Sequence, residues 1–569
     1  MKSENDLKIL RHSAAHLLAQ AVLELFPETQ LTIGPATEEG FFYDLLPSKN
    51  FKEDDLAKIE AKMHELSKKN LKIEHREIPK EEARKIFKNN PFKMELINDI
   101  PGETVGLSIQ GDFYDLCRGG HVATTGEIKH FKLLTISGSY WRANKNGIAL
   151  QRITGTAFFT EDDLKDNEQR KLDLLKYDHR KIGKELDLFS FHDEGPGFPF
   201  FHPKGRLVLN LLIDYMRKLQ QQENYKEIST PVILSDELWK RSGHYNHYKE
   251  NMYFTKIDDK NYAIKPMNCP GSILIYKVRP RSYRELPLKL SEYGLVHRHE
   301  LSGVLHGLLR VRAFTQDDAH IYCTVDQIEN EVISVIKIIY KILNKFGFEK
   351  INVCLSTKPK KYMGSDELWE KAIQLLKNAL DRSNVKYQIQ EGEGAFYGPK
   401  IEFKIEDSMK REWQLSTIQI DFFQPENFDL NYIASSGNKE RPVMIHHAIY
   451  GSLERFFAIL LEHHKGILPF FITPIQIIIL TITDAQKEYA GKILKALKDN
   501  GLRVELDESS DQISAKIKSA LVEKIPWMLI VGKKEEENNT VTLRHIDGKQ
   551  ETGLTINDLI QKSNDLLKD

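Results

Sequence analysis

The hydrophobic pattern of this chain changes character several times, and its 569 residues are too many to share one core. We therefore expect three or four separately folded units of roughly 100 to 280 residues. Residues 7–25 carry apolar side chains at helical spacing, and charged helices are predicted at 52–69 and 80–88. Short strand-like runs separated by glycines occupy 105–160. Residues 1–160 are thus predicted to form one mixed α+β unit.

Three further segments follow this unit. Residues 161–187 are almost continuously charged and helical, which predicts a helical linker or simply a solvated helix face. Residues 188–468 lack regular alternation of strands and helices, which favours an antiparallel sheet with flanking helices. Strands and helices alternate over 469–569, which predicts a small α/β domain. The expected fold class is a multidomain α+β protein.

Composition excludes several classes of protein. Lys and Arg number 81 and Asp and Glu 82, so any site for a polyanion must be local. The longest nearly apolar run, PIQIIILTI at 474–482, is too short to span a bilayer. The start, MKSENDLKIL, is unlike a signal peptide, and the four cysteines form no CxxC pair. We expect a cytoplasmic protein with reduced thiols and no membrane partner.

One segment, VHRHELSGVLHGLLRVRAFTQDDAHI at 296–321, concentrates residues suited to phosphate chemistry. Arg298 and Arg310 bracket a loop that contains glycines, and Glu300 lies two residues after the first arginine. Arginine keeps its charge and makes bidentate contacts to phosphate oxygens, so two arginines across a hairpin suit a bent triphosphate. A surface cluster of salt bridges explains the spacing equally well.

A second concentration of reactive side chains lies near the amino end. His12 and His16 (HSAAH) are four residues apart on one helix face, and Cys117 and His121 (CRGGH) form another pair. By spacing alone these four residues indicate a zinc site, or histidines that are partly buried at the surface.

Longer strings carry a family resemblance. The R-x-E strand, loop and second arginine resemble motif 2 of the class II aminoacyl-tRNA synthetases, and GSLERF (451–456) resembles motif 3, with Arg455 as its arginine. Residues 201–233 resemble motif 1, with Pro231 as its proline. KPMNCPGS, GLLRVRAFTQDDAHIYC, YGPKIEF and DHRKIGKELDLF are similar to the threonyl-tRNA synthetases in particular. The resemblance runs from about residue 1 to the end.

The resemblance implies a reaction and its machinery. Threonine would be activated with ATP to threonyl-adenylate and passed to tRNA(Thr), with Mg²⁺ accompanying the ATP. Arg298 would hold the α-phosphate, Arg310 and Arg455 the outer phosphates, and Glu300 the adenine amino group. Because no covalent enzyme intermediate is formed, catalysis would rest on positioning and charge stabilisation.

The resemblance also implies one zinc ion per subunit, held by Cys269, His320 and His446. Three protein ligands leave a coordination position open for the amino group and hydroxyl of threonine. Valine lacks that hydroxyl, and a site that must bind the hydroxyl rejects such an analogue by roughly 10⁴. Asp318, beside the ligand His320 in FTQDDAH, is implied as a threonine contact, and Gln316, Tyr397 and Gln419 as further pocket residues.

The zinc site cannot reject serine in this way, because serine keeps the hydroxyl and lacks only one methyl group. A missing methyl group allows only about 10 to 200-fold discrimination between two substrates. The resemblance assigns hydrolysis of mischarged seryl-tRNA(Thr) to residues 1–160, where His12, His16, Cys117 and His121, with Asp115, would act without a metal. Gly120 stands where many relatives have proline, and His447 where relatives often have arginine.

The remaining implications concern the carboxyl end, the assembly and the domain set. Anticodon binding is placed in 469–569, with Glu535 and Arg544 as base readers, although a solvated hairpin explains that segment without the family. A homodimer is implied. The editing helix starts almost at Met1, so we expect the ubiquitin-like domain that many bacterial relatives carry to be absent.

Two other functions compete with ligation of threonine. One is a synthetase-like protein that only binds tRNA or messenger RNA, against which the arginines and the Cys/His set argue. The other is a related ligase for serine or proline, in which replacement of Cys269 would leave amino-acid activation intact.

Overall fold

The computed structural model describes residues 3–144 and 146–567, which form two compact units divided between Asp173 and Leu174. This division falls inside the predicted linker, and the four segment boundaries proposed from the sequence stay predictions. In the described residues, no helix combines the length and apolar character that crossing a bilayer requires.

The first unit has helices on two antiparallel sheets. Its helices are α1 (Glu4–Leu25), α2 (Glu53–Lys68), α3 (Lys80–Ile86), α4 (Pro91–Asp99) and α5 (Glu161–Lys176), the last crossing the division. Its strands are β1 (Gln30–Leu31), β2 (Phe41–Leu46), β3 (Ile73–Pro79), β4 (Thr104–Gln110), β5 (Phe113–Leu116), β6 (His130–Tyr140) and β7 (Ala149–Phe158). The sheet orders are β1-β2-β7-β6 and β3-β4-β5. The predicted helices at 7–25, 52–69 and 80–88 are confirmed.

Helix α1 is mostly buried because it packs on β2, β7 and α2. Ser3 caps its amino end, accepting a hydrogen bond from the Asp6 backbone N–H while Asp6 bonds back to Ser3. Burial of most of the helix fixes the direction of its histidines.

The linker consists of two helices rather than one. Helix α5 ends at Lys176, and α6 (His179–Glu185) begins after Asp178, whose carboxylate accepts a hydrogen bond from the Arg180 backbone N–H at 2.8 Å. An aspartate at this position satisfies an amide that the new helix leaves unpaired, so it favours a new start.

The second unit is built on a mixed eight-stranded sheet and a smaller sheet near the carboxyl end. Its helices after α6 are α7 (Pro203–Gln222), α8 (Asp236–Arg241), α9 (His244–Tyr248), α10 (Cys269–Lys277), α11 (Ile328–Lys345), α12 (Asp366–Arg382), α13 (Phe423–Asn427), α14 (Leu453–His463), α15 (Lys487–Asp499), α16 (Ile513–Val522), α17 (Lys533–Glu537) and α18 (Ile556–Leu567).

Its strands are β8 (Phe189–Ser190), β9 (Phe200–Phe201), β10 (Lys226–Glu227), β11 (Ile233–Ser235), β12 (Tyr253–Ile257), β13 (Lys260–Ile264), β14 (Leu288–His297), β15 (Ala313–Cys323), β16 (Ile351–Ser356), β17 (Tyr387–Gln390), β18 (Lys400–Glu406), β19 (Glu412–Asp421), β20 (Tyr432–Ile433), β21 (Lys439–Glu440), β22 (Val443–Ser452), β23 (Ile477–Thr481), β24 (Val504–Asp507), β25 (Trp527–Val531), β26 (Val541–His545) and β27 (Gln550–Leu554).

The large sheet has the order β10-β14-β15-β22-β19-β18-β16-β17 and is antiparallel except at its two edge pairs. This confirms the antiparallel sheet with flanking helices. Strands β15 and β22 are central and buried over most of their length, so the aspartates and histidines that they carry lie inside the protein. The carboxyl-terminal sheet, β24-β23-β25-β26-β27, begins with parallel pairs and confirms the α/β prediction.

Candidate functional site

A cavity of about 280 Å³ opens beside the hairpin of β14 and β15. Arg298 follows β14 and Arg310 precedes β15, while Arg455 lies in the first turn of α14. These arginines and Glu300 all line the cavity, together with Gln316. The structure therefore brings together the four residues that the sequence predicts for ATP.

Arg298 and Arg455 are held by the protein, whereas half of the Arg310 side chain is exposed to solvent. The Arg298 guanidinium lies over the Phe314 ring at 5.0 Å and the Tyr248 ring at 5.5 Å. Its Nε donates to the Pro266 carbonyl at 3.2 Å, and Arg455 Nε donates to the Leu309 carbonyl at 3.0 Å. Groups fixed in this way need little reorganisation to meet a ligand.

The lining carries excess positive charge. Three guanidinium groups face one lining carboxylate, Glu300, which pairs with Arg310 at 2.9 Å. Burial, followed by the charges of Arg310 and Arg298, lowers the pKa of Arg455 from its ordinary value. A bound anion would offset the repulsion between these neighbouring cations, and the planar guanidinium groups match the geometry of phosphate oxygens.

A second cluster lies further along the same strands. His320 on β15 and His446 on β22 are direct cross-strand partners, and Gln419 on β19 is the partner of His446 on the other side. Cys269 enters as the first residue of α10. One ligand atom from each of Cys269, His320 and His446 lies within 4.8 Å of the others, and all three residues are buried.

The chemistry of this cluster fits a metal ion. His320 Nε2 is buried and has no hydrogen-bond partner among the described residues, and burial keeps the pKa of His320 well below its ordinary value, so the imidazole is neutral. His446 Nε2 lies 3.0 Å from Asp421 Oδ2. Because a carboxylate only accepts, Nε2 carries a proton, which leaves Nδ1 as the nitrogen that can face a metal ion, the arrangement found at metal-binding histidines.

Asp318 lies between the cluster and the cavity. Its Oδ2 accepts a hydrogen bond from Asn268 Nδ2 at 3.1 Å, and burial raises its pKa to about 6. Gln419 Nε2 donates to the Gly398 carbonyl at 3.0 Å, and the Tyr397 ring lies 5.6 Å from that of His446. The predicted pocket residues therefore surround the cluster, except that Gln316 lines the arginine cavity.

Sequence reasoning missed three residues of this region. Asn268 donates a hydrogen bond to Asp318, and Asp421 lies within hydrogen-bond distance of His446. Asp317 accepts hydrogen bonds from the backbone N–H groups of Ile449, Tyr450 and Gly451 at 2.8 to 2.9 Å. Asp317 thus ties β15 to β22 at a bulge between Gln316 and Asp318. Asn268 and Asp317 stand inside the strings KPMNCPGS and FTQDDAH, whereas Asp421 has no comparable signal.

His447 plays no part in either cluster. Side chains alternate along a strand, so His447 points away from His446, and its Nε2 lies 2.7 Å from the Tyr225 hydroxyl. Burial lowers the pKa of His447 to about 3. It is also absent from the described residues that line the arginine cavity.

The first unit brings His12, His16, Cys117 and His121 together, with one ligand atom from each lying within 4.8 Å of the others. The Cys117 sulfur is 3.0 Å from His12 Nε2 and 3.0 Å from His121 Nε2. Burial lowers the pKa of His121 to about 3 and raises that of Cys117 to about 11. Burial also lowers the pKa values of His12 and His16, so all three imidazoles are neutral.

Asp115 joins this cluster to a buried polar network. Its carboxylate lies 3.4 Å from His16 Nδ1, accepts a hydrogen bond from the Tyr43 hydroxyl and pairs with Lys93, which is almost fully buried. Lys93 comes from α4 and Tyr43 from β2. Sequence reasoning missed both residues, because a lone Lys and a lone Tyr in amphipathic segments carry no local signal.

The turn that carries Cys117 and His121 depends on two glycines. Gly119 and Gly120 have φ values of +95° and +81°, in the region that side chains rarely adopt. Proline is locked near −65°, so a chain with proline at position 120 must follow another path here.

At the carboxyl end, Glu535 and Arg544 are both partly buried. Glu535 accepts hydrogen bonds from the Gly532 backbone N–H and the Thr542 hydroxyl, each at 3.0 Å. Arg544 Nε is buried without a hydrogen-bond partner in the described part of the chain.

Three models of protein families match the chain. The model described as "tRNA synthetase class II core domain (G, H, P, S and T)" matches residues 253–464, and "Anticodon binding domain" matches 476–566. "Threonyl and Alanyl tRNA synthetase second additional domain" matches 107–154. The last match includes the CRGGH turn.

Full-length relatives and solved structures agree with these matches. The chain is 52% identical to the threonine–tRNA ligase of Clostridium kluyveri over 99% of this chain and 88% of that protein. It is 54% identical to the threonine–tRNA ligase of Acetivibrio thermocellus over 94% of this chain and 84% of that protein. The "RNA binding domain of Threonyl-tRNA synthetase" from Cryptosporidium parvum Iowa II has a TM-score of 0.66 at 42% identity, covering 68% of this chain and 98% of that one.

Proposed function

Because this chain belongs to the threonyl-tRNA synthetases, enzymes that ligate threonine to tRNA, we propose that the arginine cavity binds ATP and that the cluster beside it binds zinc and selects threonine. The observation that carries this proposal is the register of β15 and β22, since these two strands supply residues to both sites. A phosphate site and an amino-acid site on the same strands can present a carboxylate to a phosphorus atom.

In this proposal the reaction depends on positioning and charge. Arg298, fixed between two rings, holds the α-phosphate during attack by the threonine carboxylate. Arg310 and Arg455 hold the outer phosphates, which leave as pyrophosphate, and Mg²⁺ accompanies the nucleotide. Glu300 binds the adenine amino group, for which its carboxylate must leave Arg310. Half of Arg310 is solvent-exposed, so this ion pair is weak.

Cys269, His320 and His446 are proposed as the zinc ligands, with Asp421 orienting His446. Zinc bound there would supply a Lewis acid with a position open to the amino group and hydroxyl of threonine. Asp318, held by Asn268, accepts a hydrogen bond from threonine, and Tyr397 and Gln419 close the pocket. Valine leaves these polar partners unsatisfied and is rejected.

The first unit, which carries the match to the editing-related domain, is proposed to hydrolyse seryl-tRNA(Thr) at His12, His16, Cys117 and His121. Asp115 orients His16, and Lys93 balances the buried carboxylate. Neutral imidazoles can accept a proton from water, and we propose that no metal takes part. The competing interpretation is a second zinc, which would give two metal ions per chain in elemental analysis instead of one.

The double substitution His12→Ala plus His16→Ala is expected to make the enzyme accumulate serine-charged tRNA. Without hydrolysis, only the synthetic site discriminates between serine and threonine, and the missing methyl group limits that discrimination to about 10 to 200-fold. Aminoacylation with radiolabelled serine measures the product, and threonine charging serves as the internal control because it should stay within about twofold. Unchanged serine charging contradicts the assignment.

The hydrolysis of seryl-tRNA is expected to be nearly independent of pH between about 5.5 and 7.5. The neutral imidazole is the basic form, and burial lowers the pKa of His121 to about 3 and that of His16 well below its ordinary value, so these two imidazoles stay neutral as the pH falls through 6.5. Rates on purified seryl-tRNA, corrected for the spontaneous rate with the doubly substituted enzyme, test this. A rate that halves near pH 6.5 contradicts it.

Glu535 and Arg544 are proposed to read the anticodon, because both lie in the segment that matches the anticodon-binding domain and neither is fully buried. Glu535 must exchange its bonds to Gly532 and Thr542 for a base. A homodimer in the cytoplasm remains part of the proposal and is testable by light scattering. Threonine-dependent exchange of pyrophosphate into ATP separates this function from an RNA-binding protein without catalysis, which would show none.

A further inference from the structure

His179, the first residue of α6, is completely buried and bonds to two separate parts of the second unit. Its Nδ1 lies 2.6 Å from Glu462 Oε1 near the end of α14, and its backbone N–H donates to the same oxygen at 2.9 Å. Its Nε2 accepts a hydrogen bond from the Leu308 backbone N–H at 3.0 Å. One imidazole therefore joins the linker, α14 and the loop after β14.

The partners define the tautomer of this imidazole. A backbone N–H only donates, so Nε2 must offer its lone pair to Leu308. A carboxylate only accepts, so Nδ1 carries the proton and donates it to Glu462. Both ring nitrogens are thus used in one neutral form, which fixes the orientation of the ring.

Glu462 is itself held firmly. Its Oε2 pairs with Arg411, which is also bonded to Asp407 at 2.8 Å through Nε. Burial would raise the pKa of Glu462, but the hydrogen bonds from His179 and the charge of Arg411 outweigh burial and lower it. Glu462 is therefore a charged, buried anchor at the far end of the helix that carries Arg455.

The target of His179 is a single 3-10 turn, Gly307–Leu309, immediately before Arg310. The carbonyl of Leu309 in this turn accepts the Arg455 Nε hydrogen bond at 3.0 Å. The turn thus lies between two arginines of the cavity. Gly307 has a φ of +47°, and a Cβ placed there would lie 2.1 Å from His179 Nε2, so the imidazole packs directly on the turn backbone.

We propose that His179 and Glu462 are positioning residues for ATP. They hold the Gly307–Leu309 turn in the place where Arg310 and Arg455 both face the cavity, and they touch neither substrate. This inference rests on the proposed function, because it assumes that the arginine cavity binds ATP. It gives the start of α6 a role in nucleotide binding that its position in a linker does not suggest.

Two amide substitutions separate the two hydrogen bonds. Asparagine places its amide near Nδ1, so His179→Asn keeps the contact to Glu462 and loses the one to Leu308. Glutamine reaches the position of Nε2, so His179→Gln keeps an acceptor for Leu308. The pair is matched in chemistry and differs in which partner is reached.

The test is pyrophosphate exchange into ATP, with the KM values for ATP and threonine measured separately for the full-length protein. We expect His179→Asn to raise the KM for ATP about tenfold, and His179→Gln to stay within about threefold of the unsubstituted protein. The KM for threonine should change by less than about twofold in both, because the turn does not reach the cysteine–histidine cluster. Hydrogen exchange at the Leu308 amide should accelerate in the asparagine variant alone.

A KM for ATP that is unchanged in the asparagine variant, or equal in both variants, overturns the positioning role and leaves the proposed function intact. A parallel rise in both KM values overturns it as well, since that indicates general loosening of the fold. If the asparagine variant does not fold, Glu462→Gln tests the same set of contacts, because it keeps an acceptor for His179 Nδ1 and loses the charge that pairs with Arg411; it is expected to raise the KM for ATP and not that for threonine. Absence of exchange in the unsubstituted protein overturns the proposed function, and this inference with it.

Discussion

Replacing Cys269 with alanine is expected to remove the bound zinc and to lower threonine-dependent pyrophosphate exchange by about 10⁴-fold. Two buried imidazoles without the thiolate form a poor zinc site, because the sulfur ligand contributes both charge and softness. Without the metal, the pocket loses the Lewis acid that binds the amino group and hydroxyl of threonine, and only the hydrogen bond to Asp318 remains. The preference for threonine over valine should then fall sharply.

Elemental analysis and exchange assays on the same preparations measure this result. Cys354→Ala is a matched control, since Cys354 is also buried in the second unit but lies on β16, outside the cluster. That control should keep one zinc per chain and nearly full activity. Purified, active enzyme without a transition metal would contradict the whole assignment of the cluster, and retained activity in the Cys269 variant would contradict its role in the selection of threonine.

Replacing Arg298 with lysine is expected to lower the exchange rate by about 10³-fold, even though the charge is conserved. Lysine cannot make a bidentate contact with a phosphate, and it cannot stack between the Phe314 and Tyr248 rings. Charge stabilisation at the α-phosphorus is the main contribution proposed for this chain, so the loss should appear in kcat more than in the KM for threonine.

Arg241→Lys provides the comparison for this experiment. Arg241 lies over the Phe428 ring at 4.8 Å and donates to the Asn427 carbonyl at 2.9 Å, so it reproduces the stacking and the carbonyl bond of Arg298 away from the cavity. We expect this variant to keep its exchange rate within about twofold. Equal losses in the two variants would show that the Arg298 effect comes from folding rather than from phosphate binding.

Much of the fold and the main site residues could be predicted from the sequence, because their signals are local. Motif arginines, the HSAAH and CRGGH pairs and the helical periodicity are all read within short windows, and the structure brings each set together. The break between α5 and α6 was missed because the stretch 161–187 is helical in composition on both sides of Asp178. Base readers and the dimer stay predictions.

The sequence by itself determined which residue types are present: arginines suited to phosphate, a cysteine and two histidines suited to a metal, and the HSAAH and CRGGH pairs, whose imidazoles are neutral only because the fold buries them. Only the tertiary structure decided what holds these groups, since Lys93 meets Asp115, Asp421 meets His446, and His179 meets Glu462 across distances in the chain that no local pattern records. The physical reason is that a reactive residue must be of a particular type, because the chemistry uses its functional group. A positioning residue needs only a group that can form a hydrogen bond at the right point in the fold. Many residue types can supply a hydrogen bond, so only the packed fold reveals which one does.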